Sequence, residues 1–546
     1  MHDRFRQFFG RKWFDLKPST AVIHSTVARR EKWPVPAGPL TSEPSKKRTF
    51  TAPANLADSQ HAKWPGKSYF GPVIMQFDPS ARRNAAVVLL LGAMATACVS
   101  YHPKPLRPEA VVAARAARTL DPAQVTARVA ELAPARRATV LRWDRLTLFA
   151  AGTLYNPDVI AARAALNAAE ANARAARAGP NTTLTLTTEY ARDPAASSPW
   201  LFGGAIDIPL DTGGRRQSRR TVADLTVLSA RYDVAEAVWT GRIAMRRAVA
   251  DRLIAERQII ALTALTQVRD RQFAAMARRV AAGEASRAEL ERVRADGADA
   301  ARRLGDSEGR HRAASGALAA AIGVSEQALT GIVPEWGGFD GPARNLAEKV
   351  SDDVRLAAIL SRADVLKAVV AYDQAEAELR GEVAKQFPAI SISPGYTWER
   401  GLVKLPFSLG LVLPPLDLNR RAIAAAEAKR TEAGRRLEAV VAGAQAAIDA
   451  ALVETRAARV SLQRVRSVER VAAERLAAQA DRELKAGAID RPEWAAAQAG
   501  ARQAVTSEID VLARVHAADA ALEDALRRPL EGPETAVLVS SGGQKR

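Results

Sequence analysis

Cysteine is the scarcest reactive side chain in this 546-residue sequence. Cys98 is its single example, so an internal disulfide and a cysteine-rich metal centre are both excluded. The setting of Cys98 suggests another use for the thiol. Met75 is followed by Arg82-Arg83, then by the apolar run Ala85 to Leu91, then by the small residues Ala95-Thr96-Ala97 directly before the cysteine. A charged start, a short apolar middle and a small-residue end is the order of a removable secretory leader. A cysteine left at the new terminus is where acyl chains could be attached, tethering the chain to a membrane surface without crossing it. Other candidate chemistry is sparse. His311 and His516 stand alone on charged helical stretches, and Gly213-Gly214 lacks both the phosphate-cradling fingerprint and its βαβ surroundings. The expectation is no catalytic residue, no cofactor-binding residue and no metal site, hence no enzyme.

The leader divides the first part of the chain. Residues 1–74 hold 13 Lys or Arg against 5 Asp or Glu and show no apolar period, so they read as a non-native or disordered extension. Residues 75–97 read as the signal peptide. Its stretch from Ala85 to Ala97 falls short of the roughly 20 residues a membrane-spanning helix needs. Ala95 to Cys98 resembles a bacterial lipobox, with Ala95 where leucine is usual and Val99 following, so 98–140 is expected to be a lipidated N-terminal segment. The net charge of +19 falls to +10 from Cys98 onward and alternates in sign along helices. That pattern marks solvated faces, and no nucleic acid is expected as a partner.

The elements that follow are unusually long. From Arg215 to Ala282 there is no proline and one glycine, Gly241, which predicts a rod of about 100 Å. Leu225, Leu228, Tyr232, Ala235 and Trp239 step by three and four, leaving one apolar stripe. A second rod is predicted from Arg420 to Lys485, with Leu437, Val440, Ala444, Ala447 and Ala451 as its stripe. Both rods are approached by similar turns, Ile208-Pro209-Leu210-Asp211 and Pro414-Pro415-Leu416-Asp417, and Asp158-Val159 recurs as Asp364-Val365, 206 residues later. A duplication follows. Repeat 1 is 141–326, a connector rich in Gly and Pro is 327–351, repeat 2 is 352–530, and 531–546 is expected to be a disordered tail.

Each repeat then contains the same series. A shorter helix is predicted from Pro157 to Ala178 in one and from Asp353 to Gln386 in the other; return helices are predicted over Ser286 to Ile322 and Pro492 to Arg528. Between helix and rod the apolar period switches to two, predicting strands Thr182 to Tyr190, Trp200 to Ile208, Ala389 to Trp398 and Phe407 to Leu413, with Glu399 to Leu405 as a loop. Four strands of about nine residues can cross a bilayer when tilted, but cannot close a barrel, and open edges are not tolerated in hydrocarbon. Copies must assemble, and three would supply twelve strands. Tyr190, Trp200, Tyr396 and Trp398 fall beside the hairpin loops, where an aromatic girdle would lie.

The ordered set resembles the TolC family of bacterial outer-membrane efflux channels. It comprises Tyr155-Asn156-Pro157-Asp158-Val159, the duplicated hairpins, Leu210-Asp211-Thr212-Gly213-Gly214-Arg215-Arg216, and the turns Ala282-Gly283-Glu284-Ala285-Ser286 and Ala486-Gly487-Ala488-Ile489-Asp490. The Gly-Gly-Arg-Arg approach is similar to the CzcC-like metal-efflux branch. The resemblance implies a mainly α fold with a small β part: a homotrimer joining a twelve-stranded outer-membrane β-barrel to a long α-barrel tunnel. It implies a periplasmic adaptor, an inner-membrane pump of the RND type and outer-membrane lipid as partners. By the same likeness Gly283, Glu284, Ala285, Ser286, Gly487, Ala488 and Ile489 form the adaptor contact. A gate is placed at Glu493 and Asp490, with Ala496 standing where the family often has a second acidic residue. Two other readings stay open at this point: a soluble periplasmic coiled-coil scaffold or adaptor, and a duct for type I protein secretion.

Overall fold

Proline and capping residues set where the helices begin. The computed structural model describes residues 101–134, 141–192, 198–341, 346–399 and 401–537. The extension, the leader, Cys98 and the tail from residue 538 lie outside the described residues. Residues 101–108 are exposed, and residues 109–537 belong to one compact unit.

The first helices are α1 (Pro108–Ala116) and α2 (Pro122–Leu132). Repeat 1 contributes α3 (Arg145–Tyr155), α4 (Pro157–Ala176), strands β1 (Thr183–Tyr190) and β2 (Trp200–Leu210), the rod α5 (Arg215–Ala281) and the return helix α6 (Arg287–Ile322). Repeat 2 contributes α7 (Asp352–Ser361), α8 (Ala363–Ala384), β3 (Ala389–Glu399), β4 (Leu402–Lys404), β5 (Phe407–Val412), α9 (Arg420–Arg464), α10 (Arg470–Lys485) and α11 (Arg491–Leu526). The first rod runs unbroken for 67 residues.

Several expectations need correction. The helix predicted from Asp353 to Gln386 is two helices, broken at Arg362, which is extended (φ −62°, ψ 136°). The duplication explains the break, because Asn156 separates α3 from α4 at the equivalent place. Asn156 caps α4 by accepting from the Asp158 and Val159 N–H groups, while its own amide donates to Ala321 O at 2.7 Å. Arg362 makes the matching reach, donating to Ala525 O at 2.5 Å and pairing with Asp364. In both repeats, therefore, the residue between stacked short helices is tied to the end of that repeat's return helix.

The second rod carries a π-helical turn, Val465–Glu469, between α9 and α10. It sits where Arg466 donates to Glu508 and to the connector carbonyls of Asp340 and Gly341, so the extra residue in the turn has a local partner set. The buried stripe of this rod is also displaced from the predicted one: Ala444, Ile448, Ala451, Leu452 and Thr455 are buried and Ala447 is exposed. The stripe of the first rod is as expected, with Tyr232 against Leu366 and Val370 of α8 and with Leu225, Leu228 and Ala235 beside them.

The tail boundary moves as well. Glu531 and Glu534 lie in the described structure against the core. There Arg145, Arg242 and Arg246 face Glu523, Glu531 and Glu534; Glu523 lies 2.8 Å from Arg242 and 3.1 Å from Arg246, and Glu534 is 3.3 Å from Arg145. The connector supplies Trp336, whose ring sits 4.1 Å under the Arg145 guanidinium, and Phe339, which stacks on His516 at 4.2 Å. Three buried cations are tolerable because three carboxylates, two of them buried, neutralise them at 2.8 to 3.7 Å.

Candidate functional site

Two regions hold the residues that matter, one at each end of the rods. At the far end, both rods stop in the same way. Gly283 (φ +77°) donates to Val280 O and Glu284 to Arg279 O; Gly487 (φ +72°) donates to Leu484 O and Ala488 to Glu483 O. These are paired Schellman motifs, and the left-handed backbone rather than crowding asks for glycine, since a Cβ at either position would meet nothing within 4 Å. Ser286 and Glu289 then form a capping box for α6, and Asp490 caps α11 by accepting from the Glu493 N–H at 2.9 Å.

The structure brings the two turns together. Arg279, just before the first turn, pairs with Asp490, just after the second. Asp490 thus already carries a helix cap and an ion pair. Glu493, one turn into α11, is exposed and has no ion pair among the described residues. Gly283, Glu284, Ser286, Gly487 and Ala488 are exposed, and Ala285 and Ile489 half-buried. Sequence reasoning missed Arg279 and also Trp494, whose indole donates to Asp481 at 2.5 Å across the α10–α11 hairpin. Arg279 had a signal: it is a cation in the last turn of the rod, where the helix dipole favours one.

The other end is a sheet. Its order is β1-β2-β3-β4, all antiparallel, with β5 also on β3. β4 lies inside the predicted loop Glu399 to Leu405, so the fourth position across the sheet is one strand interrupted at Pro406, which has no N–H to give a ladder. The register sorts every side chain. Leu186 stands opposite Gly204, Trp200 opposite Tyr190, Phe202 opposite Trp398, Ile208 opposite Ile392 and Ile390 opposite Leu411, all on one face. The other face aligns Thr183 with Asp207, Thr187 with Gly203 and Ser391 with Gly410. Nothing among the described residues covers the apolar face: Leu184, Leu186, Phe202, Ile206, Leu409 and Leu411 are exposed. On it, near the loops, Tyr190, Trp200, Phe202 and Trp398 form a ladder with ring centroids 4.9, 5.7 and 6.2 Å apart. β1 and the β4–β5 strand leave both sheet edges open.

An apolar face with an aromatic rim, a polar face and two free edges is the layout of a piece of a membrane barrel. No helix among the described residues is long and apolar enough to cross a membrane. No group of His, Cys, Asp or Glu among them is arranged to hold a metal ion.

Comparison with known proteins agrees with that layout. The profile of a family described as outer membrane efflux protein matches residues 154–324, from the end of α3 to just past α6. Over that stretch, 171 of 546 residues, the chain is similar to the outer membrane efflux protein family. Solved structures share the fold. The outer membrane protein VceC from Vibrio cholerae is 17% identical, with a TM-score of 0.58 over 71% of this chain and 97% of that one. CusC, described in connection with folding and transmembrane channel formation, is 15% identical, with a TM-score of 0.58 over 78% and 99%. The Neisseria gonorrhoeae outer membrane channel MtrE, in an open state, is 17% identical, with a TM-score of 0.56 over 72% and 94%. No curated protein matches the sequence.

Proposed function

We propose that this chain is a member of the TolC family and the outer-membrane exit duct of a tripartite efflux system. Three copies close one barrel from three open sheets and continue it as an α-helical tunnel through the periplasm. The observation that carries the reading is the sheet: an uncovered apolar face backed by a Thr-, Ser- and Gly-rich one, with unpaired edges on both sides. An edge left open in hydrocarbon costs several kcal/mol per unsatisfied backbone group, so the sheet has to find partners. A soluble scaffold would have no use for such a face.

The duct performs no chemistry on its cargo. An inner-membrane pump supplies the energy and a periplasmic adaptor docks at the paired glycine turns, where Glu284, Ser286 and Ala488 are exposed. Glu493 is the candidate gate residue: three copies facing a narrow lumen would attract cations and repel anions. Asp490 serves the same region differently, holding the two hairpins of one protomer together through Arg279. Planar-bilayer recording tests the gate. Glu493→Gln is expected to reduce cation preference, and a conductance unchanged in size and selectivity would remove Glu493 from this role. For the duct itself, the protein should float with lipid vesicles after reconstitution; a chain that stays soluble without detergent contradicts the reading.

A further inference from the structure

All four junctions between helix and strand lie at one end of the sheet, and arginine is concentrated there. The segments 174–177, 211–220, 384–387 and 413–421 hold nine Lys or Arg against two Asp. Their backbones are bound into one collar. Arg215 donates to the carbonyls of Ala384, Lys385 and Phe387, Arg216 and Arg220 both donate to Arg177 O, Thr212 donates to Pro388 O, and Gln386 donates to Leu418 O. The two acids are used inside it: Asp211 accepts from the Arg216 N–H and Asp417 from the Asn419 N–H. The nearest further acids, Asp224 and Glu382, are paired with Arg177 and Lys385.

What remains outward is cationic. Arg174, Arg420 and Arg421 are exposed, and their guanidinium groups have no partner among the described residues. Immediately beside Arg420 and Arg421, Leu413 and Leu416 are also exposed, Leu416 fully, which continues the apolar face of β5 down to the arginines. The turn that projects Leu416 is a costly one. Leu418 and Asn419 both take positive φ, 51° and 61°, where the first repeat uses Gly213 and Gly214 for the same two left-handed steps. A non-glycine residue held in that conformation is an expense that marks a constrained site. Leucine that reaches into acyl chains with unpaired arginine one helical step away suits a bilayer whose headgroups carry negative charge.

We propose that this collar binds anionic phospholipid headgroups of the periplasmic leaflet of the outer membrane. Arg174, Arg420 and Arg421 engage the phosphates while Leu413 and Leu416 enter the acyl region. The inference rests on the membrane-duct reading above, because it takes the helix side of the sheet as the periplasmic side. The N-terminus of α9 at the same level, which no side chain of its capping residue closes, adds partial positive charge.

The test uses the full-length protein reconstituted in vesicles of phosphatidylcholine with a minor fraction of phosphatidylglycerol. Protein is excised with its surrounding lipid by a styrene–maleic acid copolymer, and that lipid is quantified by mass spectrometry. Wild-type particles are expected to hold phosphatidylglycerol enriched roughly threefold or more over the bulk ratio, with the enrichment falling as salt rises and screening sets in. R174Q/R420Q/R421Q is expected to return to the bulk ratio, whereas R302Q/R435Q, removing exposed arginines far along the helices, should not. A wild-type ratio equal to bulk, or indifferent to salt, overturns the proposal without recourse to any variant; so does a triple variant that keeps its enrichment. Failure to float with vesicles at all would instead sink the duct reading.

Discussion

Among single residues, the buried charges carry the largest consequences. Burial pushes the Glu523 carboxyl upward, but Arg242, Arg246 and the Leu530 N–H outweigh it and hold it down to about 2. A depressed carboxylate stabilises the fold above its ordinary value of 4.5 and loses that contribution as pH falls towards 2. His516 is lowered to about 4, first by burial and then by Arg246, so it favours the folded state above 6.5 and loses its share between 6.5 and 4. Asp519 runs the other way. Burial raises it to about 6 against the pull of Arg459, and its neutral form is the favoured one, so its contribution is lost as pH rises through 6. Glu523→Gln should destabilise the protein by about 3 kcal/mol at neutral pH, because Arg242 and Arg246 are left buried with less compensation. It should also flatten the acid limb below pH 4.5; thermal midpoints across a pH series check both. His516→Phe should keep the stacking on Phe339 and remove the slope between pH 6.5 and 4, worth about 3 kcal/mol.

At the level of elements, the sheet makes the sharpest distinction, because neighbouring residues on one strand face different media. Leu186→Arg places a charge on the apolar face of β1 and should cost about 2 to 4 kcal/mol near the bilayer centre, while Thr185→Arg on the polar face should cost little. Heat-resistant oligomer on a gel, compared for the two variants, reads the difference, and equal behaviour would mean that the faces are wrongly assigned. The π-turn offers a second test. Deleting exposed Ser467 would remove the extra residue and close the turn to regular α-helix, leaving the faces beyond it where they are. Ala477 and Ala480 should then stay buried against α11, so the α10–α11 hairpin should keep its hydrogen-exchange protection, and its loss would mean that the turn does not absorb an extra residue.

For the whole molecule, the proposed duct needs its open sheet edges closed by further copies, and particles in detergent are expected to contain three chains. Native mass spectrometry giving a monomer would contradict the barrel. Much of this architecture was legible in order along the chain. The rods follow from the absence of proline, the strands from a change of period, and the paired turns from glycine at matched offsets, since each is a local preference written in neighbouring residues. Even the break at Arg362 was there to be read in the 206-residue offset from Asn156. Other features depend on residues far apart and could be decided only in three dimensions. Pro406 divides a strand because it faces β3; Glu534 belongs to the core because Arg145 and Arg242 wait for it; Arg279 finds Asp490 because two turns meet. Sequence records what each segment prefers by itself, whereas a charge's partner and a sheet's uncovered face exist only once the chain has brought distant segments side by side.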